Sequence, residues 1–180
     1  DAVYTVHDRT HVTDPAAFVA LAPRIVGVAG TGEASVPRSL LSQLPNAKVV
    51  SVFGVGYDGV DVGHAIQRGA MVTHTPNVLN DDVADLAIAL MLSVTRRIPQ
   101  AHQFVQAGGW AKGGLPLATK LSGLRLGIVG MGRIGQAIAH RAAAFGMPIA
   151  YTARSAKSNL PYAFVANVED LAAQVDVLTL

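Results

Sequence analysis

The segment that most constrains the fold is a glycine-rich turn between an apolar run and an alanine-rich run. The turn has the pattern Gly130-x-Gly132-x-x-Gly135, with Leu124–Val129 before it and Arg133–Phe145 continuing from it. An apolar strand, a tight glycine turn and a helix, in that order, are typical of a dinucleotide-binding unit. The pattern therefore predicts a parallel α/β domain in this half of the chain.

The three glycines have separate physical roles in such a turn. Gly130 permits the tight backbone turn, Gly132 leaves room for a pyrophosphate, and Gly135 lets the helix pack closely on the strand. The backbone N–H groups of Arg133, Ile134 and Gly135 open the predicted helix and would point at the anion. An ordinary strand-to-helix turn, in which the glycines only aid packing, is the alternative interpretation.

The next predicted strand ends at Tyr151 and is followed by Ala153, Arg154 and Ser155. In an NAD(H) site, a carboxylate near this point accepts hydrogen bonds from the ribose hydroxyls. A 2′-phosphate would be repelled by that carboxylate, whereas Arg154 can donate two hydrogen bonds to phosphate oxygens and Ser155 can add a hydroxyl. The stretch therefore predicts NADP(H) over NAD(H). The alternative is that Arg154 is a solvated loop charge.

Charge is distributed unevenly along the chain. Nine of the 14 Lys and Arg residues, and none of the 12 acidic residues, lie between Leu86 and Val168. This excess predicts that the second half binds an anion. Because the basic residues are spaced apart and lack interleaved aromatic residues, a phosphorylated cofactor is favoured over nucleic acid.

The composition is that of a globular protein, with 51% hydrophobic and 14% charged residues. The 180 residues contain no cysteine, which excludes disulfides and thiolate metal sites and mildly favours the cytoplasm. No metal site is predicted. The longest apolar run, Leu86–Leu92, is far shorter than the roughly 20 residues of a membrane-spanning helix, so no membrane partner is expected.

The first half of the chain alternates short apolar runs with helical patterns. Strands are predicted at Ile25–Ala29, Lys48–Phe53 and Met71–His74, with helices between them, which is typical of a parallel sheet. A long helix is then predicted from Asn80 to Arg96. Its body is apolar nearly all round, which predicts that the helix is buried.

This long helix can carry the chain from one domain to the next, so we place a domain boundary near Arg97. Residues 1–97 would form one domain and residues 98–180 a second. The chain begins without Met and ends within a predicted strand, which indicates part of a longer polypeptide. Both domains are therefore expected to be incomplete, the second at its C-terminal end.

Three segments, in this order and spacing, resemble the D-isomer-specific 2-hydroxyacid dehydrogenases. They are Phe53–Asp61, Thr75–Asp85 and Leu121–Ala139. The resemblance covers residues 25–180, and the Tyr-x-x-Arg-Ser pattern that begins at Tyr151 is most similar to NADPH-dependent glyoxylate/hydroxypyruvate reductases. It implies two α/β domains with doubly wound parallel sheets, a flavodoxin-like substrate domain followed by a Rossmann cofactor domain.

The resemblance also implies roles for residues outside the glycine turn. The N–H groups around Val55 and Gly56 would bind the substrate carboxylate, as a turn with two glycines can expose its amides; a purely structural turn is the alternative. Val83 would face the nicotinamide. Trp110 would lie near the cleft or at a dimer contact, or serve as a local packing anchor. Asp85, where relatives often carry Glu, is interpreted as a supporting or solvated residue.

By the same resemblance, the catalytic Arg, Glu and His of the family lie downstream of residue 180. None of the six histidines occupies the catalytic position, so no catalytic residue is assigned in this stretch and no turnover is expected from it alone. His74 lies nearest to a motif, and a structural role is favoured for it.

The leading hypothesis is NADPH-dependent reduction of glyoxylate or hydroxypyruvate to the D-2-hydroxy acid by hydride transfer. The full-length protein would be a cytoplasmic homodimer. One alternative is a reductase of another 2-oxo acid, such as a phenylpyruvate. Another is a non-catalytic dinucleotide-sensing protein of the same fold, since a fold alone does not separate these functions.

Overall fold

The computed structural model describes residues 4–180. Their contacts separate into two compact units, and the division falls between Asn77 and Val78. Each unit contains one sheet, and all the strand pairs in both sheets are parallel. The prediction of an α/β fold with parallel sheets is therefore confirmed.

The first unit has a three-stranded sheet in the order β1-β2-β3. Its elements are α1 (Thr10–Thr13), α2 (Pro15–Leu21), a 3-10 turn (Ala22–Arg24), β1 (Gly27–Thr31), α3 (Arg38–Leu41), β2 (Val49–Phe53), α4 (Val62–Gln67) and β3 (Met71–Thr73). Val50 and Val52 of β2 are buried in a core with Leu41 and Ala65 from the two adjacent helices. The alternation of strand and short helix in the sequence is thus reproduced in the sheet.

Two short helices at the start of this unit were not predicted. The carboxylate of Asp14 accepts a hydrogen bond from the Ala17 N–H at 3.0 Å, and Pro15 occupies the first turn of α2. Both are ordinary helix-start signals. The helix has only seven residues, too few to show a clear apolar period in the sequence.

The second unit has a four-stranded sheet in the order β6-β5-β4-β7. Its elements are α5 (Asn80–Thr95), α6 (Ile98–Gln106), a 3-10 turn (Gly109–Lys112), β4 (Leu126–Val129), α7 (Arg133–Ala144), β5 (Ile149–Thr152), β6 (Ala163–Phe164), α8 (Val168–Gln174) and β7 (Val177–Thr179). The two-residue strand β6 was not predicted, because two residues carry no periodic signal.

The core of the second unit lies between the sheet and its helices. Leu126 and Ile128 of β4 pack with Ile138 and Ala142 of α7, and all four side chains are buried. The alanines of α7 let the helix approach the sheet closely. This packing positions the start of α7 directly beyond the end of β4.

Within residues 4–180, the prediction that α5 is buried is confirmed for one face only. Ile88 and Met91 are buried, but Leu86, Leu90 and Val94 are exposed. These three side chains recur at helical spacing on one side of α5. A helix that is apolar all round in sequence can still be covered on one side only, because the sequence does not state how many elements surround it.

The structure divides the chain earlier than the predicted boundary near Arg97. The α5 helix packs on α7 within the second unit, where Ile88 and Met91 share a core with Ile138. The apolar pattern of α5 does not state which neighbour the helix packs against, so it does not decide on which side of the helix the boundary lies. No helix in residues 4–180 has the length and hydropathy needed to span a bilayer.

Candidate functional site

The glycine turn and the loop after β5 lie side by side at the carboxyl edge of the second sheet. Val129 at the end of β4 is paired with Thr152 at the end of β5. The N–H of Gly130 donates a hydrogen bond to the Thr152 carbonyl at 2.9 Å. In this sheet β5 and β6 follow β4 on one side, whereas β7 lies on the other side of β4. Ligands of open parallel sheets bind at the carboxyl edge, at the point where the strand order reverses in this way.

The backbone of the turn requires glycine at two positions. Gly130 has φ +100°, which L-residues with a side chain rarely adopt. A Cβ at Gly135 would overlap the carbonyl oxygen of Gly130 and lie 3.3 Å from Cγ2 of Ile128. Gly135 therefore serves the close contact between α7 and the end of β4, as expected from the motif.

Gly132 differs from these two glycines. A Cβ built there meets no atom within 4 Å, so packing within the chain does not require glycine at this position. Its φ of −81° is also accessible to other residues. The open space at Gly132 would allow a ligand to approach the backbone closely.

The first turn of α7 presents unpaired amides at the same place. Gly132 is the N-cap and supplies no side-chain cap, and the N–H groups of Arg133, Ile134 and Gly135 donate to no acceptor within residues 4–180. The side chain of Met131 is buried in the core of the second unit. Uncapped amides and the helix dipole both favour an anion, which fits the pyrophosphate of a dinucleotide.

Met131 was not singled out from the sequence. Its side chain is anchored among the buried residues of the second unit, and its carbonyl accepts a hydrogen bond from Nε2 of Gln136 at 3.3 Å. The sequence feature that could have indicated this buried residue is an apolar side chain between two glycines. It holds the middle of the turn while the flanking glycines stay open.

The loop after β5 presents Arg154 and Ser155 to solvent. Ala153 is partly buried against the core. No acidic side chain in the described residues forms an ion pair with Arg154. The loop returns at Lys157, whose backbone N–H donates to the hydroxyl of Tyr151 at 2.7 Å. The edge of the sheet beside Gly130 thus carries a guanidinium that has no acidic partner within residues 4–180.

The turn with Val55 and Gly56 lies in the first unit and is held from one side by residues that follow β3. The Gly54 N–H donates to Oγ1 of Thr75 at 2.9 Å, and the Thr75 N–H donates back to the Gly54 carbonyl at 2.9 Å. Nδ1 of His74 donates to the Val55 carbonyl at 2.9 Å. The N–H groups of Val55 and Gly56 have no acceptor within the described chain, so they are free to bind a carboxylate.

This arrangement supports the structural interpretation of His74. Its ring holds the Val55 carbonyl and packs edge-on against Tyr57, with ring centroids 4.8 Å apart. Thr75, a second contact of the same turn, was not predicted from the sequence. Thr75 follows His74 directly, just beyond the end of β3, which is a parallel neighbour of β2. This position could have indicated a contact with the turn that follows β2.

Val83 and Trp110 lie in the second unit. Val83 is in the first turns of α5 and partly exposed, and nothing in the structure tests its predicted place beside the nicotinamide. Trp110 is 71% exposed in the 3-10 turn, so the interpretation as a local packing anchor was wrong. The ring of Phe104, not that of Trp110, packs against Gly109.

Two groups of ion pairs stabilise the second unit. Arg141 of α7 donates hydrogen bonds to the carboxylates of Asp85 and Asp81 of α5. These bonds, chiefly the one to Asp85, raise the pKa of Arg141. Asp85 thus pairs with Arg141 while most of its side chain stays exposed. Arg125 donates to both carboxylate oxygens of Asp176, at 3.0 and 2.7 Å, which lowers the pKa of Asp176 to about 2.

The described residues contain no group of three or more His, Asp or Glu side chains placed to hold a metal ion. The donors at both turns are backbone amides and, at the β5 loop, a guanidinium. They are suited to binding anionic groups of a ligand.

Comparison with known proteins agrees with the sequence motifs. A family model described as the NAD binding domain of D-isomer specific 2-hydroxyacid dehydrogenases matches residues 88–180. A hydroxyphenylpyruvate reductase of Plectranthus scutellarioides is 47% identical over 89% of this chain and 52% of its own length. Glyoxylate/hydroxypyruvate reductase A of Arabidopsis thaliana is 46% identical over 86% of this chain and 49% of its own length.

Solved structures show the same likeness. A 2-hydroxyacid dehydrogenase from Ketogulonicigenium vulgare Y25 has a TM-score of 0.88 and 42% identity, over 98% of this chain and 57% of its own. An NADPH-dependent glyoxylate/hydroxypyruvate reductase from Sinorhizobium meliloti, in complex with NADP and malonate, has a TM-score of 0.80 and 41% identity, over 89% of this chain and 51% of its own. The chain spans about half the length of the curated relatives it matches.

Proposed function

Since this chain belongs to the family of D-isomer specific 2-hydroxyacid dehydrogenases, which are oxidoreductases, we propose that the full-length protein reduces a small 2-oxo acid with NADPH. The substrate would be glyoxylate or hydroxypyruvate and the product the D-2-hydroxy acid. The observation that carries the cofactor choice is the loop after β5. Arg154 lies two residues beyond the strand that is bonded to Gly130, and it forms no ion pair with an acidic side chain in residues 4–180.

The residues of the second unit would bind the cofactor by its phosphates. The amides of Arg133, Ile134 and Gly135 would hold the pyrophosphate at the start of α7. Arg154 and Ser155 would hold the 2′-phosphate, and Ala153 would leave it room. The nicotinamide supplies the hydride when the cofactor is bound. The protein contributes orientation, and Val83 would shield one side of the ring.

The first unit would bind the substrate through backbone amides. The N–H groups of Val55 and Gly56 would hold the carboxylate of the 2-oxo acid, while His74 and Thr75 fix the turn from behind. Amides held in advance lose little conformational entropy when the substrate binds. The proton-transferring His, its Glu and the carboxylate-binding Arg are proposed to lie elsewhere in the full-length protein, so that residues 1–180 alone would not turn over substrate.

We further propose that the protein is a cytoplasmic homodimer. The apolar side chains Leu86, Leu90 and Val94 are exposed on α5, and an apolar patch of this kind is typical of a protein contact. The segment 99–120, with the exposed Trp110, would contribute to the same contact. The lack of cysteine in the 180 residues favours a reducing compartment.

A phenylpyruvate is the second candidate substrate. It is favoured by the 47% identity to a hydroxyphenylpyruvate reductase, which is similar to the identity to the glyoxylate/hydroxypyruvate reductase from Arabidopsis thaliana. Both substrates present the same 2-oxo carboxylate to the turn at Val55 and Gly56. They differ in the group beyond it, so the amides of this turn do not select between them.

The test is a kinetic panel on the full-length protein. NADPH and NADH would each be measured against glyoxylate, hydroxypyruvate, pyruvate and 4-hydroxyphenylpyruvate, with the chirality of the product determined. We expect the highest kcat/KM with NADPH and hydroxypyruvate or glyoxylate, and a D product. Preference for NADH would contradict the cofactor assignment. Turnover of 4-hydroxyphenylpyruvate alone would support the second candidate, and binding of dinucleotide without any turnover would support a sensing protein.

A further inference from the structure

We propose that Tyr151 is a positioning residue for cofactor selection. Its buried phenol would hold the loop 153–157 in the shape that presents Arg154 and Ser155 to a 2′-phosphate. The inference rests on the proposed use of NADPH and adds to it the residue that sets the geometry of the phosphate site.

Tyr151 is fixed on all sides. It lies in β5 with 1% of its surface exposed and belongs to the core of the second unit. Its ring meets Phe164 of β6 edge-on, with centroids 5.6 Å apart. Its carbonyl accepts a hydrogen bond from the Val165 N–H at 2.8 Å. The phenol oxygen therefore has a set position at the edge of the sheet.

The hydroxyl of Tyr151 closes the loop. It accepts a hydrogen bond from the backbone N–H of Lys157, six residues later, at 2.7 Å. At the other end the loop is held by Thr152, whose carbonyl accepts from Gly130. No hydrogen bond within residues 4–180 involves residues 153–156. The loop is therefore held by hydrogen bonds only at its two ends, at Thr152 and at Lys157.

A phenol suits this role because its two ends have different requirements. The ring is apolar and gains by burial, whereas the hydroxyl needs a hydrogen-bond partner once it is removed from water. The Lys157 amide supplies that partner, so the loop must return to the end of β5 to satisfy it. A phenylalanine would keep the ring packing and release the loop.

The shape of the loop matters more for a 2′-phosphate than for a hydroxyl. A guanidinium binds phosphate oxygens through two hydrogen bonds in a fixed plane, so the backbone that carries Arg154 must be held in place. NADH has no 2′-phosphate, so its binding does not require the backbone at Arg154 to be held in a fixed position. Release of the loop should therefore weaken NADPH binding selectively.

The experiment uses Tyr151→Phe in the full-length protein. We expect the dissociation constants of NADPH and of 2′,5′-ADP, measured by calorimetry, to rise about threefold to tenfold, as for loss of one hydrogen bond. The dissociation constant of NADH should stay within about twofold. Hydrogen exchange at the Lys157 amide should become faster. Tyr162→Phe is the matched control, since the Tyr162 hydroxyl has no hydrogen-bond partner in the described residues.

A second variant separates positioning from general damage to the fold. In a background that carries both Arg154→Ala and Ser155→Ala, Tyr151→Phe should have no further effect on NADPH binding, because both groups that the loop positions are gone. Equal weakening of NADPH and NADH by Tyr151→Phe, or a further loss of NADPH binding in that background, would overturn the inference.

The same variants distinguish failure of this inference from failure of the proposed function. If Arg154→Ala weakens NADPH selectively and Tyr151→Phe does not, only the positioning role is lost. If Arg154→Ala affects NADPH and NADH equally, the 2′-phosphate site itself is wrong, and the positioning role is overturned with it.

Discussion

The N–H of Gly130 donates a hydrogen bond to the carbonyl of Thr152 at 2.9 Å, and this bond joins the glycine turn to the end of β5. The two segments are far apart in sequence but meet because β4 and β5 are parallel neighbours. A pyrophosphate at the start of α7 and a 2′-phosphate beside Arg154 could therefore belong to one cofactor. The predictions for this edge of the sheet follow from that relationship.

Gly135→Ala and Gly132→Ala should separate packing from cofactor binding. A Cβ at Gly135 overlaps the Gly130 carbonyl, so we expect Gly135→Ala to lower the free energy of unfolding by roughly 1–3 kcal/mol, as for other overpacked sites. A Cβ at Gly132 meets nothing within 4 Å. Gly132→Ala should leave the unfolding midpoint unchanged and weaken dinucleotide binding.

Thermal unfolding and cofactor titration, each on both variants, check this pair. If Gly132→Ala binds NADPH as the unaltered protein does, the open space at Gly132 is not where the pyrophosphate lies. The Gly135→Ala variant then still reports on packing, because its effect depends on contacts within the chain.

Arg154→Ala should raise the KM for NADPH by about tenfold to a hundredfold, as for loss of a charge-assisted hydrogen bond, and leave the KM for NADH nearly unchanged. Arg154→Glu should raise the KM for NADPH further, because a carboxylate repels the 2′-phosphate. Steady-state kinetics with both cofactors measures the effects. Lys112→Ala, which removes an exposed positive charge in the 3-10 turn, is the control for net charge, and an effect of equal size there would contradict a local phosphate site.

Thr75→Val should raise the KM for the 2-oxo acid by about threefold to tenfold while the KM for NADPH stays the same. Valine keeps the shape of threonine but removes the hydroxyl that accepts a hydrogen bond from the Gly54 N–H, worth about 0.5–1.5 kcal/mol. The turn with Val55 and Gly56 would then lose a support. Thr73→Val, in β3, is the control, since no hydrogen bond of the Thr73 side chain is found in the described residues.

The Arg125–Asp176 pair should make stability depend on pH in the acid range. Its hydrogen bonds lower the pKa of Asp176 from 3.8 to about 2. A carboxyl group whose pKa is lowered by folding contributes stability above its unfolded pKa and loses it as pH falls through the folded value. The contribution is thus present above about pH 4 and lost between about pH 4 and pH 2.

Unfolding midpoints between pH 2 and pH 7 test this prediction. Asp176→Asn should be less stable than the unaltered protein at pH 7, and the difference should shrink as the pH approaches 2. Glu169→Gln, which removes a charge from the nearby α8 without breaking an ion pair in the described chain, should lack this trend. A constant difference for Asp176→Asn at all pH values would argue against the ion pair.

The sequence predicted best those elements whose residue patterns lie within one short segment of the chain. The run Leu124–Val129, the three glycines and the alanine-rich helix appear in the structure as β4, the turn and α7, within two residues at each end. Gly130 and Gly135 carry local backbone and packing requirements that a short segment expresses by itself. Helices α1 and α2 were missed because their few residues carry only cap signals.

The candidate site could be predicted only in part. Arg154 and the glycines were identified from residue type and order, but the support from Tyr151, His74 and Thr75 was not. These three residues act through partners 6 to 21 positions away in the chain. Their contacts depend on how loops return to the sheet edge, which local patterns do not encode.

Short stretches of sequence are enough to establish the strand–turn–helix order around Gly130, the absence of a carboxylate after Tyr151 and the resemblance to the dehydrogenase family. Those properties depend on neighbouring residues and on the backbone freedom of glycine. Two further properties are visible only in the folded chain: α5 packs on α7 in the second unit, and the Tyr151 hydroxyl binds the end of the loop that carries Arg154. Such contacts are made between residues that only folding brings together, so their energies have no signature in any short stretch of the chain.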